Sequence, residues 1–231
     1  MEANPAQRHY GWRVQVGSSR QISFGGGPIN FTMQGYGCLI APRLVLTSWQ
    51  VWQASQRTHS SVKTGPQISS GKTIIECELA GANEGHDLAL LRTTGPLTDA
   101  AGTDHDPYPN FSSTEPTIGQ WASVLIQANL ADLRLWGEMH PYDCLAGSSI
   151  SLLSFGNKTS YALSGIMMDT AWIGNAVLDA EGDLLGIVTG YFTGPTPNAQ
   201  AQRLAQRYIV FTPVTAAMTK AMLAGAELLK R

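Results

Sequence analysis

The stretch GYGCLIAPRLVLTSWQV, Gly35 to Val51, reads as two short strands, Cys38–Ile40 and Leu44–Thr47, on either side of a turn at Pro42. Apolar and β-branched residues fill both segments, and proline removes the backbone donor that a continuous central strand needs. The pattern repeats outward in both directions. Trp12–Val16, Thr73–Leu79 and His86–Arg92 read as strands before residue 98. Trp121–Gln127, Ser149–Phe155, Ala162–Met168, Ala176–Leu178, Leu184–Thr189 and Tyr208–Val210 follow, separated by glycine, proline or serine. Thr98–Pro116 is polar, acidic and proline-bearing, and is the best linker in the chain. From Pro213 the period changes: Val214, Met218, Ala221, Met222, Gly225, Leu228 and Leu229 lie at offsets 0, 4, 7, 8, 11, 14 and 15, which is helical spacing. Thr212 or Pro213 supplies the start signal.

Composition narrows the class. The chain has 231 residues, 43% of them apolar and 14% charged, which fits a folded domain and neither a disordered chain nor a coiled coil. Twenty-four glycines and 12 prolines favour many turns and hence a β-rich fold. The formal net charge is −2, so there is no basic excess for nucleic acid and no reason to invoke an anionic membrane. No apolar run approaches the ~20 residues that span a bilayer. The polar start, MEANPAQRHYGW, has no apolar core of a signal peptide. A cytoplasmic protein with buried, reduced thiols at Cys38, Cys77 and Cys144 is the expectation. The sequons at Asn30, Asn110 and Asn157 are short enough to arise by chance.

Several apparent motifs carry no chemistry. Gly71-Lys72-Thr73 looks like the end of a phosphate-binding loop, but position 66 is Pro66 where a glycine is needed, and the following residues have a strand pattern. Gly25-Gly26-Gly27 lacks the dinucleotide spacing and reads as a hairpin loop. Asp104, His105 and Asp106 read as a solvated turn, and the five histidines are too scattered for a zinc site. No metal and no cofactor is expected.

Three segments, in order, are specific. Gly35–Val51, His86–Arg92 (HDLALLR) and Ala171–Tyr191 (AWIGNAVLDAEGDLLGIVTGY) together resemble the trypsin-like serine proteases, in their disulfide-poor bacterial branch. They make up about a fifth of the chain, and their order and spacing fit the family along nearly its whole length. The resemblance implies an all-β fold of two six-stranded antiparallel β-barrels of the chymotrypsin type with a C-terminal α-helix. It places an N-terminal barrel in residues 1–110 and a C-terminal barrel plus helix in residues 111–231.

The family's chemistry needs a serine hydroxyl, a histidine that takes its proton, and a buried aspartate that orients the histidine. By resemblance Asp87 stands at the aspartate position. Gln50 stands at the histidine position, and an amide is not a base near neutral pH. The serine position is Ile173 in an ungapped reading, or Ala176 if Gly174-Asn175 match the family's Gly-Asn. Ala171 and Asn175 then replace glycines of the oxyanion turn in the ungapped reading, where a β-carbon disfavours the required backbone.

Trp49 and Trp172 stand beside the histidine and serine positions, and with Ile173 they are expected to fill the cleft or else to point elsewhere. His86 is expected to face away from Asp87, since adjacent strand residues point to opposite faces. Met167, at the base of the specificity pocket, offers no charged anchor. Thr189, Gly190 and Tyr191 match the family's substrate-pairing edge, open to a peptide unless Phe192–Ala205 covers it.

The expectation is a protein that is not an enzyme: an inactive protease homologue that binds a protein or peptide partner as a scaffold or adaptor, in a hetero-complex rather than as a free monomer. Two other readings stay open. One is a hydrolase with a relocated nucleophile, Cys144, Ser164 or Thr170; the other is a purely structural partner of an active protease.

Overall fold

The computed structural model describes residues 13–21, 29–56, 59–64, 74–97, 108–113, 115–116, 121–125, 134–141, 161–166, 173–179, 181–193 and 207–229. Strands dominate: β1 (Arg13–Gln21), β2 (Ile29–Ala41), β3 (Leu44–Ser48), β4 (His59–Thr64), β5 (Ile74–Asn83) and β6 (Leu88–Thr93) come first. Helix α1 (Trp49–Ser55) follows β3, and a 3₁₀ turn, Glu84–His86, precedes β6. Then come β7 (Trp121–Leu125), β8 (Arg134–Pro141), β9 (Tyr161–Ile166), β10 (Ala176–Leu178), β11 (Leu184–Thr193), β12 (Arg207–Pro213) and helix α2 (Ala216–Leu229).

The first sheet closes into a six-stranded barrel in the order β1-β2-β3-β6-β5-β4, with β1 pairing antiparallel to β4 from Val14↔Thr64 to Ser19↔His59. The second sheet runs β10-β11-β12-β9-β8-β7, and β10 pairs on its other side with β7.

The apolar run Leu88-Ala89-Leu90-Leu91 explains how the halves join. Ala89 and Leu91 point into the first barrel with Val14, Val16, Leu39, Val45, Val51, Trp52 and Val62. Leu88 and Leu90 point the other way, into a cluster with Cys38, Leu46 and residues of the second half: Ala176, Leu178, Leu184, Ile187, Val214 and Met222. A strand buried on both faces needs no polar alternation, so a continuous apolar run is its signature. One core therefore spans both halves. Burial pushes the thiol of Cys38, in that core, up to about 12; Cys77 is half-buried and equally raised, by burial first and by Glu76 second.

Several sequence expectations shift. Helix α1 and strands β4 and β8 carry no strong pattern and were not anticipated. β4, HSSVKT, has a weak apolar pattern: Val62 is buried in the first barrel, and beside it Ser61 Oγ lies 2.7 Å from Ser19 Oγ on β1, a polar cross-strand pair. α2 begins later than Pro213, which ends β12. Thr215 is the effective start, its Oγ1 accepting from Met218 N at 3.2 Å. The expected strand Ser149–Phe155, the glycines Gly25–Gly27, the Gly71–Thr73 segment, Cys144 and the turn at Asp104–Asp106 lie outside the described residues. Among the described residues no helix is long and apolar enough to cross a membrane.

α2 lies against β5 through Gly81, where an added Cβ would come within 2.3 Å of the Met222 carbonyl oxygen. Backbone cannot yield as a side-chain tip can, so the helix must move. Gly81→Ala is expected to lower stability by about 1–3 kcal/mol, read as a lower midpoint of denaturant unfolding.

Candidate functional site at the junction of the two halves

The site is built around one buried carboxylate. Asp87 is 4% exposed and sits at the end of the 3₁₀ turn with φ 54° and ψ 43°, the left-handed region that Asp tolerates better than most residues. Its carboxylate accepts from Ser48 Oγ at 2.6 Å, from Gln50 N at 3.0 Å and from Gln50 Nε2 at 3.3 Å. Its backbone oxygen accepts from Trp49 N at 3.1 Å. Two of the orphan amides at the start of α1 are thus satisfied by one aspartate. Ser48 is the N-cap of α1: its hydroxyl accepts from Gln50 N at 3.2 Å while donating to Asp87. A serine one residue ahead of a helix whose buried face is Val51, Trp52 and Ser55 was the available signal for this helix.

The Gln50 amide also reaches the second half, where its Nε2 lies 3.5 Å from the Thr189 carbonyl oxygen. Both neighbours of Nε2 are pure acceptors, a carboxylate and a carbonyl. The amide orientation follows, with Nε2 inward and Oε1 turned away. Behind it, Thr212 Oγ1 donates to the His86 carbonyl at 3.0 Å and lies 3.3 Å from Thr189 Oγ1. The expectation for His86 rested on its being in a strand. It lies in the 3₁₀ turn, so strand alternation does not place it.

Ile173–Asn175 crosses between the halves. Tyr36 N donates to the Ile173 carbonyl at 2.8 Å, Gly174 N to the Val188 carbonyl at 2.7 Å, and Val188 N to the Asn175 carbonyl at 2.9 Å. Gly174 has φ 91°, and a Cβ there would fall 1.8 Å from the Tyr36 carbonyl oxygen. Ile173 and Trp49 are half-buried against the same first-barrel cluster. Ala176, the other residue considered for the serine position, lies in β10, paired with Ile187 and buried in the shared core.

The structure thus brings Gln50, Asp87 and Thr189 together and places Trp49 and Ile173 on one apolar cluster. Trp172, Ala171, Met167 and Thr170 lie outside the described residues, as do the side chains of Ser164 and Tyr191. Ser48, which holds the carboxylate more closely than any other donor, was missed in the sequence. Among the described residues no group of three or more His, Cys, Asp or Glu side chains could hold a metal ion.

Comparison with solved structures matches this architecture. The chain is similar to the Rv3671c protease of M. tuberculosis H37Rv in an inactive form, with 17% identity over 99% of this chain and 93% of that one and a TM-score of 0.55. It is similar to the HtrA-type protease AlgW, solved with a decapeptide, with 13% identity over 95% of this chain and a TM-score of 0.61. It covers 65% of AlgW, less than two thirds of that protein's length. No family model matches the chain, and no curated protein sequence does. At these identities the likeness shows a fold, that of trypsin-like, HtrA-type serine proteases. It corrects one expectation: the structures that share this fold are proteases, so the residues at Gln50 and Ile173 do not stand as marks of a protein that is not an enzyme.

Two outcomes follow from this geometry. Burial lifts the Asp87 carboxyl from its ordinary 3.8 to about 6, against the pull of Ser48 and Gln50, which lower it. Between those values the folded chain holds a proton that the unfolded chain has released, so stability falls as pH rises from about 4 to about 6 and is level above. Relative to Asp87→Asn, wild-type stability is expected to drop by about 1–3 kcal/mol across that window, measured by denaturant unfolding at each pH. Gly174→Ala, with a Cβ on the Tyr36 carbonyl and a left-handed backbone, is expected to cost more than about 3 kcal/mol or to prevent folding, visible as loss of the cooperative transition.

Proposed function

We propose that this chain engages an extended polypeptide segment along β11, in the cleft between its halves, and that it does so as a protein-binding subunit of a cytoplasmic hetero-complex. One observation carries the reading. β10 pairs with β11 only from Leu184 to Ile187, whereas β12 follows β11 as far as Thr193. Among the described strands, none pairs with the other edge of β11 from Thr189 to Thr193. A strand bonded on one side offers its remaining donors and acceptors to an incoming chain.

In this reading the second sheet is the second six-stranded barrel of a double-barrel unit, with the boundary between units near residue 110. Gln50, Asp87 and Ile173 stand at the positions that match the family's histidine, aspartate and serine. Ile173 suits the last position better than Ala176 because it lies in the crossing loop beside Tyr36, whereas Ala176 is part of a barrel wall. Trp49 and Ile173 pack, half-buried, against the first-barrel cluster next to these positions. Thr189, Gly190 and Tyr191 supply the edge.

A second reading is favoured by the likeness to proteases: the bound segment is cut, by a nucleophile among Cys144, Ser164 and Thr170. Hydrogen exchange with a degenerate hexapeptide library separates the two. Capture is expected to slow exchange of those β11 amides between Thr189 and Thr193 that do not bond to β12 by about tenfold and to return the peptides intact. Unchanged exchange at saturating library overturns capture. Cleaved peptides, with stoichiometric labelling of one side chain by fluorophosphonate or iodoacetamide, establish the protease reading instead.

A further inference from the structure

Every contact of the Asp87 carboxylate is with a donor. Oδ1 accepts from the Gln50 backbone N–H at 3.0 Å, and Oδ2 accepts from the Ser48 hydroxyl at 2.6 Å and from Gln50 Nε2 at 3.3 Å. A protonated carboxyl carries one O–H donor, and that hydrogen needs an acceptor. A backbone N–H cannot accept, so the proton belongs on Oδ2, between two side chains. Ser48 Oγ already accepts from Gln50 N at 3.2 Å, and the carboxylate is the acceptor of its hydroxyl among the described residues. Turned around, the hydroxyl of this fully buried serine would lose that partner, and an unpaired buried donor is costly. Gln50 is exposed and can turn its amide over instead: Oε1 then accepts from Asp87, and Nε2 is hydrated. The long 3.5 Å approach of Nε2 to the Thr189 carbonyl is given up in that form.

We propose that Gln50 is a two-position switch worked by Asp87. With the acid charged, the amide keeps its nitrogen inward and presents its oxygen, an acceptor, to solvent; with the acid neutral, it turns over and presents its nitrogen, a donor. A partner that docks at Gln50 therefore meets opposite hydrogen-bonding groups on the two sides of the titration. Burial raises the acid's midpoint to about 6, so the donor form belongs below that pH and the acceptor form above it. The surroundings are poor in charge. β3 and α1 contain no ionisable side chain, and β11 contains only Tyr191. The 3₁₀ turn has Glu84, which is exposed, and His86; β6 has Arg92, and β12 has Arg207 and Tyr208. The shift of Asp87 comes from burial, Ser48 and Gln50, with no contribution from any of these charges. The switch is a property of the junction itself and does not depend on the capture reading.

The test is side-chain NMR of the isotopically labelled wild-type chain from about pH 8 down to about pH 4, following the Asp87 carboxyl carbon and the Overhauser contacts of the Gln50 Nε2 protons. Contacts from those protons to Thr189 are expected at the upper end and are expected to be lost with the same midpoint as the Asp87 carbon. Asp87→Asn, whose Nδ2 donates where the protonated acid would, is expected to lack them at every pH. Contacts that persist through the Asp87 titration overturn the inference, and so does an Asp87 carbon that does not titrate in this range. Loss of the contacts with falling pH in Asp87→Asn also overturns it, because His86 would then be the group responsible. The wild-type measurement decides by itself if the variant fails to fold.

Discussion

A carboxylate removed from water has to find donors, and Asp87 finds them by organising two elements around itself. The Ser48 hydroxyl, the Gln50 amide and the start of α1 all turn toward it, and its left-handed backbone turns β6 away from the 3₁₀ turn. Burial disfavours its charge and the donors favour it; burial prevails. Because Gln50 is one of those donors, the carboxylate also sets where the amide points, and through the amide the first half touches the Thr189 carbonyl of the second. Removal of the acid would release the serine, the helix start and the amide together.

The second constraint is steric. Ile173–Asn175 threads between Tyr36 and Val188 with one hydrogen bond to the first half and two to the second. Only a residue without a β-carbon fits at Gly174, and Gly35 faces the same loop, where an added Cβ would lie 2.8 Å from the Ile173 carbonyl oxygen. The two glycines allow backbones to approach where side chains would hold them apart. With the shared apolar cluster behind them, they make the junction a packed interior rather than a hinge.

Strands whose two faces are both buried were the most legible part of the molecule. Cys38 and Leu39, Val45 and Leu46, and the four residues from Leu88 to Leu91 serve two cores at once, so they leave unbroken apolar runs in the sequence. Those runs are the blocks that carry the likeness to trypsin-like proteases, and the solved structures share that fold. Elements held by polar contacts were less visible. β4 adds a serine pair with β1 to one buried valine, and α1 has a serine cap and an aspartate 37 residues away from Gln50, none of which leaves a period in the chain. Reading the residues at two family positions as proof against enzymatic activity also went too far, because a position in an alignment says nothing about nucleophiles elsewhere.

By itself, then, the sequence determined the β-rich class and the terminal helix, since alternation, helical spacing and buried apolar runs are properties of neighbouring residues. Tertiary structure decided the rest: that Ser48 holds the acid, that the Gln50 amide presents its nitrogen inward to both halves, and that Thr189 is left out of the β12 ladder. These depend on which distant acceptors fold brings within hydrogen-bonding distance, and no local pattern encodes a contact between residues 50 and 189.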